Sequence, residues 1–141
     1  MRKLIIVRGL PSSGKSTLAR SFKEESGYEW FEADMYFMER GEYKFDPAQL
    51  YNAHKWCYEN TYRYLLSYFD VIVSNTFTTN SEMKQYFELR EFFPDLEIDV
   101  IEVHSQFGSI HGVPEETLEK MKNRWEEVDP KYGITSITKV G

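Results

Sequence analysis

Residues Val7–Thr17 read VRGLPSSGKST, and within them Gly9–Ser16 match the pattern G-x-x-x-x-G-K-[ST]. This pattern folds around the phosphates of a nucleoside triphosphate. The apolar run Leu4–Val7 precedes it and is typical of a buried strand, whereas the residues from Lys15 to about Glu25 favour a helix. A strand, a glycine-rich loop and a helix in this order predict a phosphate-binding loop, because backbone N–H groups and the helix N-terminus then face one anion.

The residue types in this loop suit the chemistry of phosphate binding. Gly9 and Gly14 permit backbone dihedrals that are closed to other residues, so that successive N–H groups can point inward. We expect Lys15 to reach the β and γ phosphates and the Ser16 hydroxyl to hold Mg²⁺. The predicted nucleotide-binding residues are Gly9, Leu10, Pro11, Ser12, Ser13, Gly14, Lys15, Ser16 and Thr17.

Length, charge and cysteine content limit the class of protein. The 141 residues, of which 41% are hydrophobic, predict a single domain over residues 1–141 without a membrane span. A net charge of -6 argues against tight, nonspecific attachment to nucleic acid, although a local basic groove can still accept a nucleic-acid end. The single cysteine, Cys57, cannot form an intrachain disulfide, and we therefore expect a cytoplasmic protein with a small buried thiol.

Strands and helices alternate along the chain. Strands are predicted at Lys3–Arg8, Tyr28–Ala33, Val71–Val73 and Leu96–Val103, the last nearer the sheet edge, and the tail to Gly141 can add an extended segment. Further helices are predicted from Asp46–Pro47 to Phe69, from Asn80 or Ser81 to Pro94, and from Pro114 to Asp129–Pro130, the last with an apolar stripe of Leu118, Met121, Trp125 and Val128. The alternation predicts a three-layer α/β domain around a parallel sheet.

Polar residues at the carboxyl ends of the predicted strands are candidates for the ligand crevice. They are Asp34, Ser74, Asn75 and Thr76. Asp34 is the carboxylate at such an end and is the predicted general base for an acceptor hydroxyl, which must lose its proton. A turn or helix cap is the alternative role for Asp34, and Glu32 is the rival base.

Four segments resemble the kinase module of phage-type polynucleotide kinases and related small P-loop kinases. They are GLPSSGKST, the FEADMYF stretch that contains Asp34, VIVSNT at residues 71–76 and HGVPEETLEKM at residues 111–121. The resemblance implies a P-loop kinase fold with a short lid over about residues 104–113. It also implies transfer of the γ-phosphoryl group of ATP to a hydroxyl, typically a nucleic-acid 5′-OH, with Asp34 as the base.

The chain departs from this family pattern in two places. Ser74-Asn75 stand where these kinases commonly have a carboxylate, so the predicted metal site depends on Ser16 and Asp34, together with phosphates and water. The predicted lid contains FGSI at residues 107–110 instead of an arginine. Arg124 is the predicted replacement for the charge that stabilises the transition state, with Arg90 and Lys122 as alternatives.

Histidines and aromatic residues provide weaker indications. His104 and His111 flank the predicted lid, and their spacing does not match a metal site, so we expect them to stabilise the lid or a turn. The aromatic residues at helical spacing between Tyr51 and Phe69 favour a core face. Five aromatic residues remain candidates for an acceptor pocket, namely Tyr36, Phe37, Tyr51, Trp56 and Tyr58.

The loop motif, together with what the resemblance implies, favours an ATP- and Mg²⁺-dependent kinase. Its expected partners are a nucleoside triphosphate and a hydroxyl-bearing acceptor, either a single-stranded nucleic-acid end, a nucleotide or a related small molecule. Two alternatives stay open. One is an NTPase in which Asn75 orients a water molecule, and the other is a nucleotide-binding regulatory protein without catalysis.

Overall fold

A five-stranded parallel sheet forms the centre of the molecule in the computed structural model, which describes residues 2–105 and 113–141. In chain order the strands are β1 (Lys3–Gly9), β2 (Glu29–Phe31), β3 (Met38–Glu39), β4 (Glu42–Tyr43), β5 (Val71–Asn75), β6 (Glu97–Val103) and β7 (Ser136–Val140). The short strands β3 and β4 form a separate hairpin, and the main sheet has the order β2-β5-β1-β6-β7. Because all its neighbouring strands are parallel, their carboxyl ends meet at one edge.

Helices connect these strands. They are α1 (Lys15–Ser26), α2 (Leu50–Leu66), α3 (Asn80–Phe87) and α4 (Glu115–Arg124), with 3₁₀ turns at Ala33–Phe37, Pro47–Gln49, Glu88–Glu91 and Pro130–Tyr132. Gly27 ends α1 at φ 74°, where a left-handed conformation is required. Asp46 accepts a hydrogen bond from the backbone N–H of Ala48 and so caps the turn before α2. Among the described residues, no helix is both long and apolar enough to cross a membrane.

Alternate residues of β1 face two different apolar layers. Leu4 belongs to the same buried cluster as Cys57 of α2 and Met83 of α3. Ile5 belongs to a second cluster, with Ala19 of α1. Side chains along a strand point alternately to opposite faces, so α1 covers one face of the sheet while α2 and α3 cover the other. The predicted three-layer α/β architecture is therefore confirmed.

Two sequence expectations about the elements are corrected. The strand expected nearer the edge, β6, has β1 on one side and β7 on the other, because the tail forms a fifth parallel strand. The last helix ends at Arg124, before Trp125 and Val128 of the predicted stripe. Trp125 is extended, with ψ 128°, and its ring lies 3.8 Å from the guanidinium of Arg8. This tertiary contact outweighs the helical periodicity of the sequence.

The predicted lid extends over residues 104–113. Residues 106–112, which include His111 and the FGSI segment, lie outside the described residues.

Candidate active site

The loop between β1 and α1 has the backbone geometry of a phosphate cradle. Gly14, which caps α1, has φ 93°, and Ser12 has φ 64°, so both are in the left-handed region. A Cβ atom on Gly9 would lie 2.6 Å from Ser13 Oγ and 2.7 Å from the carbonyl oxygen of Val103. Glycine is therefore required at this close approach. The helix begins directly after the loop, so its unpaired N–H groups face the same space.

Two side chains of the loop favour an anion. Ser13 Oγ is buried and has no hydrogen-bond partner in the part of the chain that the structure describes. An unpaired buried hydroxyl costs about 1–3 kcal/mol, and an oxygen of a bound anion would remove this cost. Burial lowers the pKa of Lys15, while the nearby carboxylates of Glu32 and Asp34 act in the opposite direction. A bound phosphate would compensate the desolvated ammonium group in the same way.

A shared carboxylate joins the first turn of α1 to the edge of the sheet. Ser16 Oγ donates to Glu32 Oε2 over 2.9 Å, and Ser74 Oγ donates to the same oxygen over 2.7 Å. Trp30 Nε1 donates in turn to Ser74 Oγ over 3.0 Å. Glu32 follows β2 and Ser74 lies near the end of β5, and these two strands are neighbours. The carboxylate therefore lies directly beside the loop.

The predicted base, Asp34, lies in the Ala33–Phe37 turn and is exposed. Its Oδ1 accepts a hydrogen bond from the Tyr43 hydroxyl over 3.2 Å. Burial, together with the charge of Asp34, raises the pKa of Tyr43 to about 12, so this phenol remains a donor at neutral pH. Asp34 and Glu32 thus have different surroundings, one beside the β3–β4 hairpin and the other beside the loop.

Asn75 and Thr76 hold backbone segments of the site. The buried Asn75 accepts at Oδ1 from the backbone N–H of Ala33 over 2.9 Å, and its Nδ2 lies 3.7 Å from the Sγ of Cys57. It therefore fixes the start of the turn that carries Asp34. The carbonyl of Thr76 accepts from the N–H of Gly9 over 3.3 Å and so connects β5 to the start of the loop.

The three cations that the sequence predicts for charge stabilisation lie in different parts of the structure. Arg124 Nε donates to Thr78 Oγ1 over 3.0 Å, just beyond the carboxyl end of β5. Lys122 lines a cavity together with the loop residue Leu10. Arg90 instead donates to two backbone carbonyls, that of Phe87 at the end of α3 and that of Tyr132 in the Pro130–Tyr132 turn.

This cavity has a volume of about 210 Å³. It is lined by Leu10, Val103, His104, Ser105, Lys122 and Trp125. The rings of His104 and Trp125 are 5.7 Å apart, edge to face, and Trp125 Nε1 is buried without a partner in the described residues. Apolar walls with a few polar groups are typical of small-molecule sites. His104 Nε2 lies 3.1 Å from Glu102 Oε1, and no cluster of three or more metal-ligating side chains occurs within the described ranges.

A buried ion pair directly before the loop was missed by sequence reasoning. Arg8 Nη1 lies 3.0 Å from Glu102 Oε2, and both side chains are fully buried. The guanidinium also donates to the carbonyls of Phe77, Thr78 and Glu126. These partners lie 69 to 118 residues from Arg8, so no local pattern predicts the contacts.

Residues 4–101 match the model of the AAA_33 family, which is described as an AAA domain, and the match covers more than half of the chain. The chain belongs to this AAA domain family. Human NEDD4-binding protein 2 is 32% identical over an alignment of 136 residues, and the match covers 87% of this AAA domain chain. The chain spans only 8% of the length of that relative.

Solved structures share the fold of this AAA domain. A sugar kinase from Janibacter sp. HTCC2649 has a TM-score of 0.67 at 19% identity and covers 99% of this chain and 85% of its own. Kti12 from Chaetomium thermophilum, in complex with ADP-AlF3, has a TM-score of 0.65 at 17% identity, with coverage of 98% and 88%. At these identities the likeness shows the fold alone, and it confirms the predicted P-loop kinase fold.

The aromatic candidates for an acceptor pocket of this AAA domain do not all lie together. Tyr36 is adjacent to the Asp34 side of the site, and its ring lies 6.3 Å from that of Trp56. Phe37 is buried, and Tyr51 is 78% exposed. Tyr58 packs against the core on α3. Tyr36 and Trp56 are therefore the pair that the structure brings beside the Asp34 turn.

Proposed function

We propose that this AAA domain is an ATP- and Mg²⁺-dependent phosphotransferase that transfers a γ-phosphoryl group to a hydroxyl of a nucleic-acid end, a nucleotide or a related small molecule. The observation that carries the proposal is the placement of two carboxylates after β2 that have different partners and both act on the pKa of Lys15 in the phosphate loop. Glu32 accepts a hydrogen bond from Ser16 Oγ over 2.9 Å, whereas Asp34, two positions later, is exposed. Phosphoryl transfer needs a negatively charged group that helps to bind the metal ion. It also needs a separate group that takes the proton from the acceptor hydroxyl.

The loop and the adjacent cavity account for nucleotide binding in this proposal. The unpaired backbone N–H groups at the start of α1 and the ammonium of Lys15 bind the phosphates, and the unpaired Ser13 hydroxyl gains a partner. The nucleobase of the nucleotide enters the cavity beside Leu10, against the rings of His104 and Trp125. The structurally similar Kti12 was solved in complex with ADP-AlF3, which supports nucleotide binding by this fold.

The donor atoms around Ser16 fit Mg²⁺. This ion prefers oxygen ligands and is usually bound by one or two carboxylates together with substrate phosphates. The Ser16 hydroxyl supplies one oxygen, and the residues after β2 supply carboxylates, with Asp34 predicted from the sequence as the metal ligand. When bound, the ion neutralises charge on the β and γ phosphates.

The acceptor side of the site is formed around Asp34. Asp34 is exposed, its Oδ1 is oriented by the Tyr43 hydroxyl at 3.2 Å, and we assign it the proton of the acceptor hydroxyl. Tyr36 offers a partly exposed ring beside it. Arg124 donates a hydrogen bond to Thr78, and we assign to its guanidinium the positive charge that stabilises the phosphoryl group during transfer. The resemblance to polynucleotide kinases supports a nucleic-acid acceptor, and the similar sugar kinase supports a small hydroxyl compound.

The test is label transfer from γ-³²P-ATP with Mg²⁺ to 5′-OH DNA and RNA oligonucleotides, nucleosides, nucleotides and sugars. Lys15→Ala should abolish turnover, because the phosphates lose their only loop ammonium. Asp34→Asn should retain ATP binding and lower kcat by about 10²- to 10⁴-fold, the usual contribution of a general base. Lys23→Ala is the matched control, since Lys23 lies on the same helix and is exposed.

Three results would contradict parts of this proposal. Label released only as inorganic phosphate indicates an NTPase, and ATP binding without turnover indicates a regulatory protein. Full activity of Asp34→Asn removes Asp34 from the role of base while leaving phosphoryl transfer in place.

A further inference from the structure

The two carboxylates after β2 differ in their contact with the phosphate loop. Glu32 accepts a hydrogen bond from Ser16 Oγ over 2.9 Å, so the hydroxyl hydrogen of Ser16 points toward Glu32. A serine that donates its proton in this way keeps the oxygen lone pairs available for a cation. Groups that accept hydrogen bonds from metal ligands fix the ligand orientation and increase metal affinity.

Glu32 is itself held in place from β5. Ser74 Oγ donates to the same Glu32 oxygen over 2.7 Å, and Trp30 Nε1 donates to Ser74 Oγ over 3.0 Å. Ser74 is only 1% exposed, so its position is fixed by the sheet. These three hydrogen bonds hold the Glu32 carboxylate beside Ser16. A glutamate on the surface would not stay in one position, because fixing its side chain costs conformational entropy.

Asp34 is directed to a different partner. Its hydrogen bond is with the Tyr43 hydroxyl over 3.2 Å, on the β3–β4 hairpin. The turn that carries it is fixed at Ala33 by Asn75, over 2.9 Å. In the described residues, the Ser16 hydroxyl is therefore served by Glu32, and Asp34 is left exposed on the acceptor side.

We propose that Glu32, instead of Asp34, is the carboxylate that serves the Mg²⁺ ion of the bound nucleotide, together with the Ser16 hydroxyl. This assignment rests on the proposed function. It gives the two carboxylates separate roles, with Glu32 at the metal ion and Asp34 at the acceptor hydroxyl. No cluster of three metal-ligating side chains occurs in the described ranges, so the phosphates must complete the coordination. We therefore expect Mg²⁺ to bind this site only when a nucleotide is bound.

The test measures Mn²⁺ binding by electron paramagnetic resonance, with Mn²⁺ in place of Mg²⁺ and with ADP present, so that no turnover is needed. Glu32→Gln should weaken Mn²⁺ binding to the ADP complex by about 10- to 100-fold, the usual effect of removing a carboxylate that supports a metal ligand. Asp34→Asn should leave it within about twofold of the wild type. Glu29→Gln is the matched control, since Glu29 is the same residue type at the other end of β2.

A second variant moves the carboxylate to the neighbouring strand. Ser74 Oγ is 2.7 Å from the Glu32 carboxylate, so an aspartate introduced at this position lies within reach of the same cation. Glu32→Ser combined with Ser74→Asp should recover much of the Mn²⁺ affinity that Glu32→Ser loses. The aspartate can still accept from Trp30 Nε1, whereas a purely structural role of the Glu32 side chain predicts no such recovery, because the double variant does not restore that side chain.

The outcomes separate this inference from the proposed function. Wild-type affinity for Mn²⁺ in Glu32→Gln, or a large loss in Asp34→Asn alone, overturns the assignment of Glu32 and leaves phosphoryl transfer standing. Absence of ADP binding by the wild-type chain overturns both. Calorimetric ADP affinity in EDTA serves as the folding control, since Glu32→Gln retains an oxygen acceptor for Ser16 and should bind metal-free ADP at least as well as the wild type.

Discussion

At the scale of single residues, Arg8 joins the phosphate loop to three other parts of the chain. Its fully buried ion pair with Glu102 has a distance of 3.0 Å. Arg8→Met removes the guanidinium partner of the buried Glu102 carboxylate and leaves, among the described residues, only the His104 ring nitrogen beside it, at 3.1 Å, so we expect the free energy of unfolding in urea to fall by about 3–5 kcal/mol. Removing both charges in Arg8→Met with Glu102→Leu should recover part of this loss.

The matched control for Arg8 is the exposed pair Lys55–Glu59, at 3.9 Å. Lys55→Met should change the same free energy by less than about 1 kcal/mol, because water screens exposed pairs. If the single Arg8 variant and the double variant lose equal stability, the buried charge is not the cause.

Residues such as Arg8 and Glu32 also mark the limit of prediction from the sequence. Lys15 and Ser16 are recognisable because the whole loop motif is contiguous in the chain. The sequence predicts Glu32 only as a rival base, since its partners Ser16 and Ser74 lie 16 and 42 residues away. Arg8 looked like the end of an apolar strand, and only the folded sheet brings Glu102 beside it.

At the scale of elements, Asn75 connects the end of β5 to the turn that carries Asp34. Its Oδ1 accepts from the buried N–H of Ala33 over 2.9 Å. Asn75→Ala leaves this N–H unpaired, which should reduce the free energy of unfolding by about 1–3 kcal/mol. Because Asn75 does not contact the loop side chains, kcat should fall while the ATP dissociation constant stays close to that of the wild type.

Asn60→Ala is the control for this element. Asn60 Nδ2 donates to the carbonyl of Trp56 within α2, so its removal affects only that helix. Equal effects of the two alanine variants on kcat would contradict a positioning role for Asn75. Calorimetry gives the ATP dissociation constant of each variant, and urea unfolding gives its free energy of unfolding.

Elements were predictable where burial on both faces produced continuous apolar runs, as in β1 and β5. The end of α4 was not predictable, because Leu118 and Trp125 keep a helical spacing while the Arg8 contact and the hydrogen bond from Glu126 N–H to the Thr78 carbonyl, at 2.8 Å, direct the chain elsewhere. Similarly, β7 has only exposed residues and gains its place by pairing with β6.

At the scale of the whole molecule, Cys57 reports the opening of the core. It is fully buried, and burial raises the pKa of its thiol from 9.0 to about 11. The folded state therefore retains the proton at a pH at which the unfolded chain loses it. The free energy of unfolding should consequently fall as the pH rises from 9 toward 11, and Cys57→Ala should remove this part of the alkaline loss.

The same thiol links nucleotide binding at the loop to the stability of the entire fold. A disulfide reagent at pH 8 reaches Cys57 only in opened molecules, and a ligand that binds only the folded state reduces their population by the factor 1 + [L]/Kd. ADP with Mg²⁺ at about 100 times its Kd should slow labelling by about 100-fold. Lys15→Ala should show little protection at the same concentration. Labelling that ADP does not slow, although ADP raises the melting temperature, would mean that α2 opens locally, without release of the nucleotide site.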